Sequence, residues 1–549
     1  MALHVPKAPG FSQMLKEGAR SFQGLDEAVY RNISACKEFS ETVRTAYGPN
    51  GMNKIIINHI DKLFVTNDAA TVVKELEVEH PAAKIMILAS QMQEEEVGDG
   101  TNFVIVLAGS LLENAQDLLR MGMTPADIIS GYELAMEKVI EILDSLVCVT
   151  ISDCRDEEKV TKAVRSAVMS KQYGNEDFLA RLITKACISI MPEETTFNVD
   201  NVRVCKILGS SLYNSESFLG MVFKRQAEGD ITKKSNAKIA VFTCPVDIAS
   251  TETKGTVLIK SAGELLKFSA GEETKLEQEI NAIRDAGVDV IVSGGKVGDM
   301  ALHFINKAGM MAVKVNSKFD IRRLCKATGA TPLPDVTVPT KDELGFADSV
   351  YTDELGDTCV VVFRLDGQES RVSTIVVRGA TDNYLDDIER AIDDGVNTFK
   401  GITRDGRFVA GAGAVEIEVA KRLRQYADTV SGLERYAVQK FANALEVFPK
   451  TLAENSGMKV KEVMDQLHKA HFKDNDAGIH VGINVESEGA DLTLNAKEAA
   501  LWDPVELKKW GVKFATSAVL TILRVDQIIM AKRAGGPAAK APRGNDEDD

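Results

Sequence analysis

The sequence contains no apolar run approaching the roughly 20 residues that a membrane-spanning helix needs, so no membrane segment is expected. Its opening stretch, MALHVPKAPGFSQMLKEGAR, lacks the long apolar core of a secretory signal. Basic charge is in deficit: 65 Lys and Arg stand against 81 Asp and Glu, a formal net charge of −16. That balance argues against a general nucleic-acid binder, whose affinity rests on neutralising phosphates. The eight cysteines (Cys36, Cys148, Cys154, Cys187, Cys205, Cys244, Cys325 and Cys359) form no Cys-x-x-Cys pair. Metal-ligand spacing is absent and a disulfide framework is not expected at this length, so they read as reduced cytosolic thiols, mostly buried. The seven histidines make no His-Glu-x-x-His. His468 and His471 share a helix face, but no acidic or Cys partner is placed to complete a site, which leaves a structural role. Neither a P-loop nor a Gly-x-Gly-x-x-Gly fingerprint occurs; Ser293-Gly294-Gly295-Lys296 does not fit one. An oxidoreductase or transferase built on the middle of the chain therefore has no cofactor signature behind it.

What is present is an ordinary soluble balance, 44% hydrophobic and 27% charged, over 549 residues, too many for one core. Residues 1–22 read as a polar arm. Val29, Ile33, Cys36, Phe39 and Val43 recur at helical steps and predict a helix over 25–46, ended by Gly48-Pro49-Asn50-Gly51. β-rich runs at 54–59 and 63–66 predict a hairpin. Helices follow at 70–78 (capped by Asn67-Asp68), from Pro81 to the acidic Glu94-Glu95-Glu96, and then to 120, 125–146 and 157–169. Lys171, in the polar turn 169–175, reads by itself as a solvated loop lysine. Strands are expected at 202–208 and 221–225. The segment 238–333 alternates strands (239–242, 288–292, 310–315) with helices (276–286, 297–308, 319–328), which implies a small α/β domain. Within it, 248–273 looks like a protruding insertion. Strands resume at 359–363 and 373–378.

Thr381-Asp382 caps a helix to 399 with a buried stripe of Leu385, Ile388, Ile392, Val396 and Phe399. Its other side carries Asp386, Asp387, Arg390, Asp393 and Asp394. Spacing favours a solvated acidic face with Asp387–Arg390–Asp394 pairing over a carboxylate presented to a ligand. Gly411-Ala412-Gly413-Ala414 opens a helical section continuing through 438–445, 460–469 and 507–525, with a short apolar turn at 481–485. The Gly/Pro/Ala-rich tail 533–549 predicts disorder. With helical ends and an α/β middle, one discontinuous domain built from both termini is the simplest arrangement; two separate terminal domains fit as well.

One stretch stands out chemically: Gln93 to Leu107, QEEEVGDGTNFVIVL. Gly98 and Gly100 allow a tight turn, and Thr101 or Asn102 can cap the helix that follows. Backbone N–H groups and a helix N-terminus would then aim at one point, which suits a phosphate. Asp99 in the same loop repels bare phosphate but suits Mg²⁺, usually held by one or two carboxylates plus phosphate oxygens. Taken alone, the stretch reads first as an ordinary turn and cap.

Three motifs together resemble the group II chaperonins, the archaeal thermosomes and the eukaryotic cytosolic CCT/TRiC complex. They are RTAYGPNGMNKII from Arg44, VTNDAAT from Val65 with His80-Pro81, and QEEEVGDGT from Gln93. The likeness extends through Val376-Val377-Arg378-Gly379-Ala380-Thr381 and Leu523-Arg524-Val525-Asp526, and covers essentially the whole chain. Residues 170–175 and 204–209 resemble one particular subunit type of that complex.

The resemblance implies a multidomain α and α/β architecture. It implies an equatorial ATPase domain (1–150 and 406–532) and an intermediate domain (151–218 and 371–405). It further implies an apical α/β domain (219–370) whose protrusion near 248–273 is part of a lid. It implies an ATP-dependent double ring folding non-native cytosolic polypeptides, actin and tubulin among them, with seven paralogous subunits beside this one in each eight-membered ring. Neither nucleic acid nor membrane is an expected partner. For the site it implies ATP or ADP with Mg²⁺ on Asp99, and phosphates near Gly100, Thr101, Asn102 and Phe103. Tyr47 and Gly48 would line the nucleotide. Asp394 would orient the attacking water, with Asp68 a second carboxylate near the γ-phosphate. Lys171 would sense nucleotide beside Met169 and Ser170, and Gly413, Asn484, Val485 and Asp503 would lie near ribose and adenine. On the helix at 297–308, Met300, Leu302, Phe304 and Ile305 read either as a substrate-contact face or as core. Departures at Ala69, Asn102 and Ala412 leave a second reading, a ring subunit that binds nucleotide but hydrolyses it weakly.

Overall fold

The computed structural model describes residues 20–23, 28–192, 197–247, 261–367, 371–473, 478–487 and 491–530. The chain opens with β1 (Arg20–Gln23), α1 (Tyr30–Arg44), the hairpin β2 (Lys54–Ile57) and β3 (Leu63–Thr66), and the short α2 (Ala69–Glu75). Four helices follow with a two-residue strand among them: α3 (Pro81–Glu96), α4 (Thr101–Arg120), α5 (Pro125–Ser145), β4 (Val149–Thr150) and α6 (Glu157–Met169). Next come α7 (Glu176–Ser189), β5 (Val202–Leu208), β6 (Glu216–Phe223), β7 (Lys233–Phe242), α8 (Ala262–Asp285) and β8 (Val290–Ser293). They lead to α9 (Asp299–Lys307), β9 (Met311–Lys314), α10 (Lys318–Thr328), β10 (Pro332–Leu333), β11 (Gly345–Leu355), β12 (Thr358–Arg364) and β13 (Ser373–Gly379). The last part is α11 (Asp382–Arg404), β14 (Arg407–Ala410), α12 (Ala414–Ala427), α13 (Glu434–Leu445), α14 (Val447–Asn455), α15 (Val460–His471), β15 (Val481–Ile483), β16 (Thr493–Asn495), β17 (Trp502–Pro504), α16 (Val505–Leu523) and β18 (Gln527–Met530).

Both ends of the chain share one core. Apolar side chains from α1, α3, α4 and α5 pack with those of α12, α13 and α16 in one cluster. β1 and β18 pair antiparallel, Arg20 opposite Met530. A second cluster joins α6 and α7 to β13 and α11. The middle is a nine-stranded sheet, β5-β13-β6-β12-β11-β7-β8-β9 with β10 on β7, covered on its two faces by separate apolar clusters. Local chemistry sets the element ends. Thr124 caps α5 ahead of Pro125, Asp156 caps α6, and Thr381 caps α11 by accepting from the Tyr384 N–H.

Several expectations need correcting. The polar arm ends in strand β1, whose partner lies some five hundred residues away and leaves no local signal. The strand expected at 221–225 runs earlier, as β6. The insertion expected at 248–273 is helical from Ala262 onward; 248–260 lies outside the described residues, as does the tail 533–549. The apolar turn at 481–485 is strand β15, paired with β16. On α9, Ile305 is fully buried while Met300 is 37% exposed, so that helix divides between core and surface.

Candidate functional site

One cleft of about 1230 Å³, its open mouth included, gathers the loops between these bodies. The phosphate-type loop enters first. Gly98 and Gly100 hold φ of +80° and +84°, the left-handed region that favours glycine. A methyl at Gly98 would land 2.3 Å from the Asn397 carboxamide, so the loop lies tight against α11. Gln93 donates to Asp99 O at 3.0 Å, fixing the turn from α3. Gly100, not Thr101 or Asn102, is the N-cap of α4, and no side chain caps that end. The expected cap is therefore absent, and the first-turn N–H groups stay available to a ligand. Asn102 instead donates to Ala46 O at 3.4 Å.

Asp99 is enclosed, and its Oδ1 accepts the Gly100 N–H at 2.6 Å. Burial raises its pKa, against the pull of Lys171 and that N–H. Asp68 caps α2, accepting from the Thr71 N–H and hydroxyl. Its pKa is lowered: burial works the other way but is outweighed by Lys171 and Thr71. Lys171 is no solvated loop lysine. Its Nζ lies 3.2 Å from Asp68 Oδ1 and 2.6 Å from Asp394 Oδ2. Burial alone would lower its pKa, yet Asp394, Asp68 and Asp99 hold it above the ordinary value.

Asp394 is 4% exposed. Arg390 pairs with Asp387 at 2.7 Å and leaves Asp394 to Lys171, so the expected Asp387–Arg390–Asp394 trio does not form. The pairing is by charge rather than an aligned hydrogen bond. Burial pushes the Asp394 carboxyl well above its usual range; Lys171 opposes this, and Asp99 and Asp68 add to it. Asp394 stands behind Lys171 rather than on the cleft wall.

Of the other expected residues, Tyr47, Gly48, Thr101, Phe103, Met169, Ser170, Gly413, Val485 and Asp503 line the same cleft. Gly48 has φ +86°, and a methyl there would meet Leu452 at 2.5 Å. Asn484 is the exception among residues named for the nucleotide: its carboxamide donates to Asp491 O at 3.3 Å. Sequence reasoning missed Lys508 and Glu416, which form a buried ion pair at 2.7 Å. Glu416 and Glu418, set among the apolar residues from Ala414 to Ala420, were the available signal; nothing local marks the partner of Glu416. His468 and His471 do have acidic partners, Glu446 at 3.6 Å and Glu418 at 3.1 Å. Glu418 comes from α12 and Glu446 from the turn between α13 and α14, both outside the helix that carries the histidines. All eight cysteines are free, four of them buried.

Three carboxylates, Asp68, Asp99 and Asp394, thus surround one ammonium beside an uncapped helix N-terminus. That surplus of negative charge repels bare phosphate and suits a phosphate carrying a divalent cation. Among the described residues, no group of three His, Cys, Asp or Glu is arranged to hold a metal alone. A single carboxylate completed by phosphate oxygens is the donor set these residues fit.

The TCP-1/cpn60 chaperonin family model matches residues 39–533. The chain belongs to the TCP-1/cpn60 chaperonin family. This chaperonin is 57% identical to T-complex protein 1 subunit theta of Homo sapiens over 549 residues, covering 100% of both chains. It is 58% identical to the Bos taurus protein of the same name over 551 residues, again covering 100% of both. To the Caenorhabditis elegans protein of that name it is 51% identical over 552 residues, covering 100% of this chain and 99% of the relative. The subunit-type likeness read at 170–175 and 204–209 is to these theta subunits. No helix among the described residues is long and apolar enough to cross a membrane.

Proposed function

We propose that this chaperonin is an ATP-hydrolysing subunit of a cytosolic double ring. In that reading it sits with seven paralogues in each eight-membered ring and encloses non-native polypeptides, actin and tubulin among them. ATP hydrolysis drives lid closure. The core shared by both termini serves as the equatorial domain, the α6–α7–α11 body as the intermediate domain, and the nine-stranded sheet with its helices as the apical domain. The observation that carries the reading is the convergence on one cleft of Gly48, Asp68, the Asp99–Phe103 loop, Lys171 and Gly413.

Asp99 would hold Mg²⁺, which when bound neutralises charge on the phosphate oxygens. The first-turn N–H groups of α4 bind and orient the phosphates. Asp394 orients the attacking water and accepts its proton, for which it must be released from Lys171. Asp68 assists from the α2 cap. Hydrolysis in water needs in-line positioning and charge neutralisation more than covalent help, and these residues supply positioning. Because Asp394 rides on α11, its approach is coupled to movement of that body, a gating role.

Native mass measurement with electron microscopy of the purified complex tests the assembly. Two stacked rings of eight distinct chains are expected; a ring of identical copies contradicts the reading. Asp99→Ala tests the site: it should abolish the Mg²⁺-dependent part of nucleotide binding, and unchanged Mg²⁺ dependence would count against the assignment.

A further inference from the structure

The short helix α14 touches three of the loops that wall the cleft. Its Phe448 stacks on Phe103, in the first turn of α4, with ring centres 4.2 Å apart. A methyl added at Gly413 would meet Pro449 at 3.1 Å. At the other end of the helix, Leu452 lies so close under Gly48 that no Cβ fits there. The last residue of α14, Asn455, makes the most specific contact. Its Nδ2 donates to Tyr47 O at 2.7 Å and to Arg44 O at 3.1 Å. The residues on either side hold the same loop: Glu454 pairs with Arg44 at 3.2 Å, and Ser456 Oγ accepts from Asn50 Nδ2 at 3.2 Å. The hydrolytic reading gives Asn455 no part.

Both acceptors are carbonyl oxygens, so only the NH₂ end of the amide can face them. Arg44 closes α1, and its carbonyl is one of those a helix end leaves without a helical partner. Tyr47 O belongs to the peptide that leads into Gly48, which holds φ +86°. In a trans peptide the C=O and the following N–H leave opposite edges of one plane. Anchoring Tyr47 O on Asn455 therefore turns the Gly48 N–H away from Asn455. Gly48 stands on the cleft wall, and among the described residues no hydrogen bond takes up its N–H. A free backbone N–H at such a turn is suited to an anion.

We propose that Asn455 is a positioning residue for nucleotide binding: it fixes the Tyr47–Gly48 peptide so that the Gly48 N–H faces the cleft as an anion donor. The inference rests on the nucleotide reading of the cleft. Neither bond of Asn455 involves Asp99 or Asp394, so it acts on affinity and not on the chemical step.

The test uses the assembled complex, titrated with 8-azido-ATP and irradiated, with label read on this chain alone by peptide mass. Asn455→Asp keeps the size and shape of the side chain but sets oxygens against both carbonyls. Asn455→Ser is the milder variant, since its hydroxyl carries one donor where two carbonyls need one each. With Asn455→Asp, half-labelling should need about 10-fold more 8-azido-ATP, the value of about one hydrogen bond. Single-turnover hydrolysis of the nucleotide bound to this chain should stay within about 2-fold of the parent. Asn455→Ser should raise the half-labelling concentration about 3-fold or more, and it decides the matter alone where the Asn455→Asp chain does not assemble. Unchanged half-labelling in an assembled variant overturns the inference, because it leaves Asn455 a purely structural residue. Hydrolysis slowed as far as binding is weakened overturns it too, as does failure of both variants to assemble, which would give Asn455 a folding role instead. Failure of the parent chain to take label at all overturns the nucleotide reading itself, a distinct result.

Discussion

Ala412 holds φ at +54°, in the left-handed region where a Cβ is strained, and its carbonyl accepts the Ile483 N–H at 2.9 Å. The opposing Gly482 makes room, since a methyl there would lie 2.8 Å from Ala412 Cβ. The left-handed conformation costs an alanine about 1–2 kcal/mol, against about 0.5–1 kcal/mol of extra chain entropy lost by a glycine. Ala412→Gly should therefore stabilise the chain by roughly 0.5–1 kcal/mol, read as a raised denaturation midpoint. A lowered midpoint would show that the Ala412–Gly482 contact outweighs the strain. Glu446 makes a pH prediction. Its pKa is lowered from 4.5; burial opposes the shift, but Arg424 at 2.5 Å and Lys450 at 3.0 Å dominate. A depressed carboxylate contributes stability above its unfolded pKa and loses it as pH falls through the folded value. Glu446→Gln should cost about 1–3 kcal/mol at pH 7, and that difference should shrink as pH falls below 4.5 and vanish once pH passes below the lowered folded value. A pH-independent difference would assign the effect to packing instead.

The site's elements were legible where their chemistry is local. Gly98 and Gly100 announced a turn, the apolar run after Asn102 announced α4, and the stripe from Leu385 to Phe399 announced α11. What could not be read is what meets what. Asp394 looked like one of several acids on a solvated face because its partner, Lys171, arrives from another element. Gly100 replaced Thr101 and Asn102 at the cap because the turn enters the helix through a left-handed residue, which leaves the first-turn N–H groups without a side-chain cap. β1, β11 and α14 escaped notice; β1 is defined by a partner at the other end of the chain, and α14 carries Pro449 in its first turn, a residue that normally signals an end. The crossing of α4 and α16 also depends on a close approach: a methyl at Gly511 would sit 2.7 Å from the Phe103 ring. Gly511→Ala should destabilise by about 1–3 kcal/mol through overpacking. It should also weaken nucleotide binding by displacing Phe103; wild-type affinity in a folded variant would separate the crossing from the site.

Across the whole molecule, the cleft is built where the core shared by the two termini meets the α6–α11 body. Asp99, on the first, and Asp394, on the second, come together through Lys171. Burial raises the pKa of both carboxyls, so ionising them at neutral pH works against folding stability. The Lys171 ammonium offsets part of that cost; on the proposed reading a ligand cation would offset more and so couple nucleotide state to the packing of the two bodies. On the proposed reading the labour divides: Asp99 would anchor the cation, and Asp394 would act when its body closes. Asp394→Ala, placed only in this chain of the assembled ring, tests it most directly by single-turnover hydrolysis of the ATP bound to this chain. The account predicts 8-azido-ATP labelling within about 2-fold of the parent and hydrolysis slowed at least about 100-fold, the low end for loss of a general base. Single-turnover hydrolysis at the parental rate would contradict it.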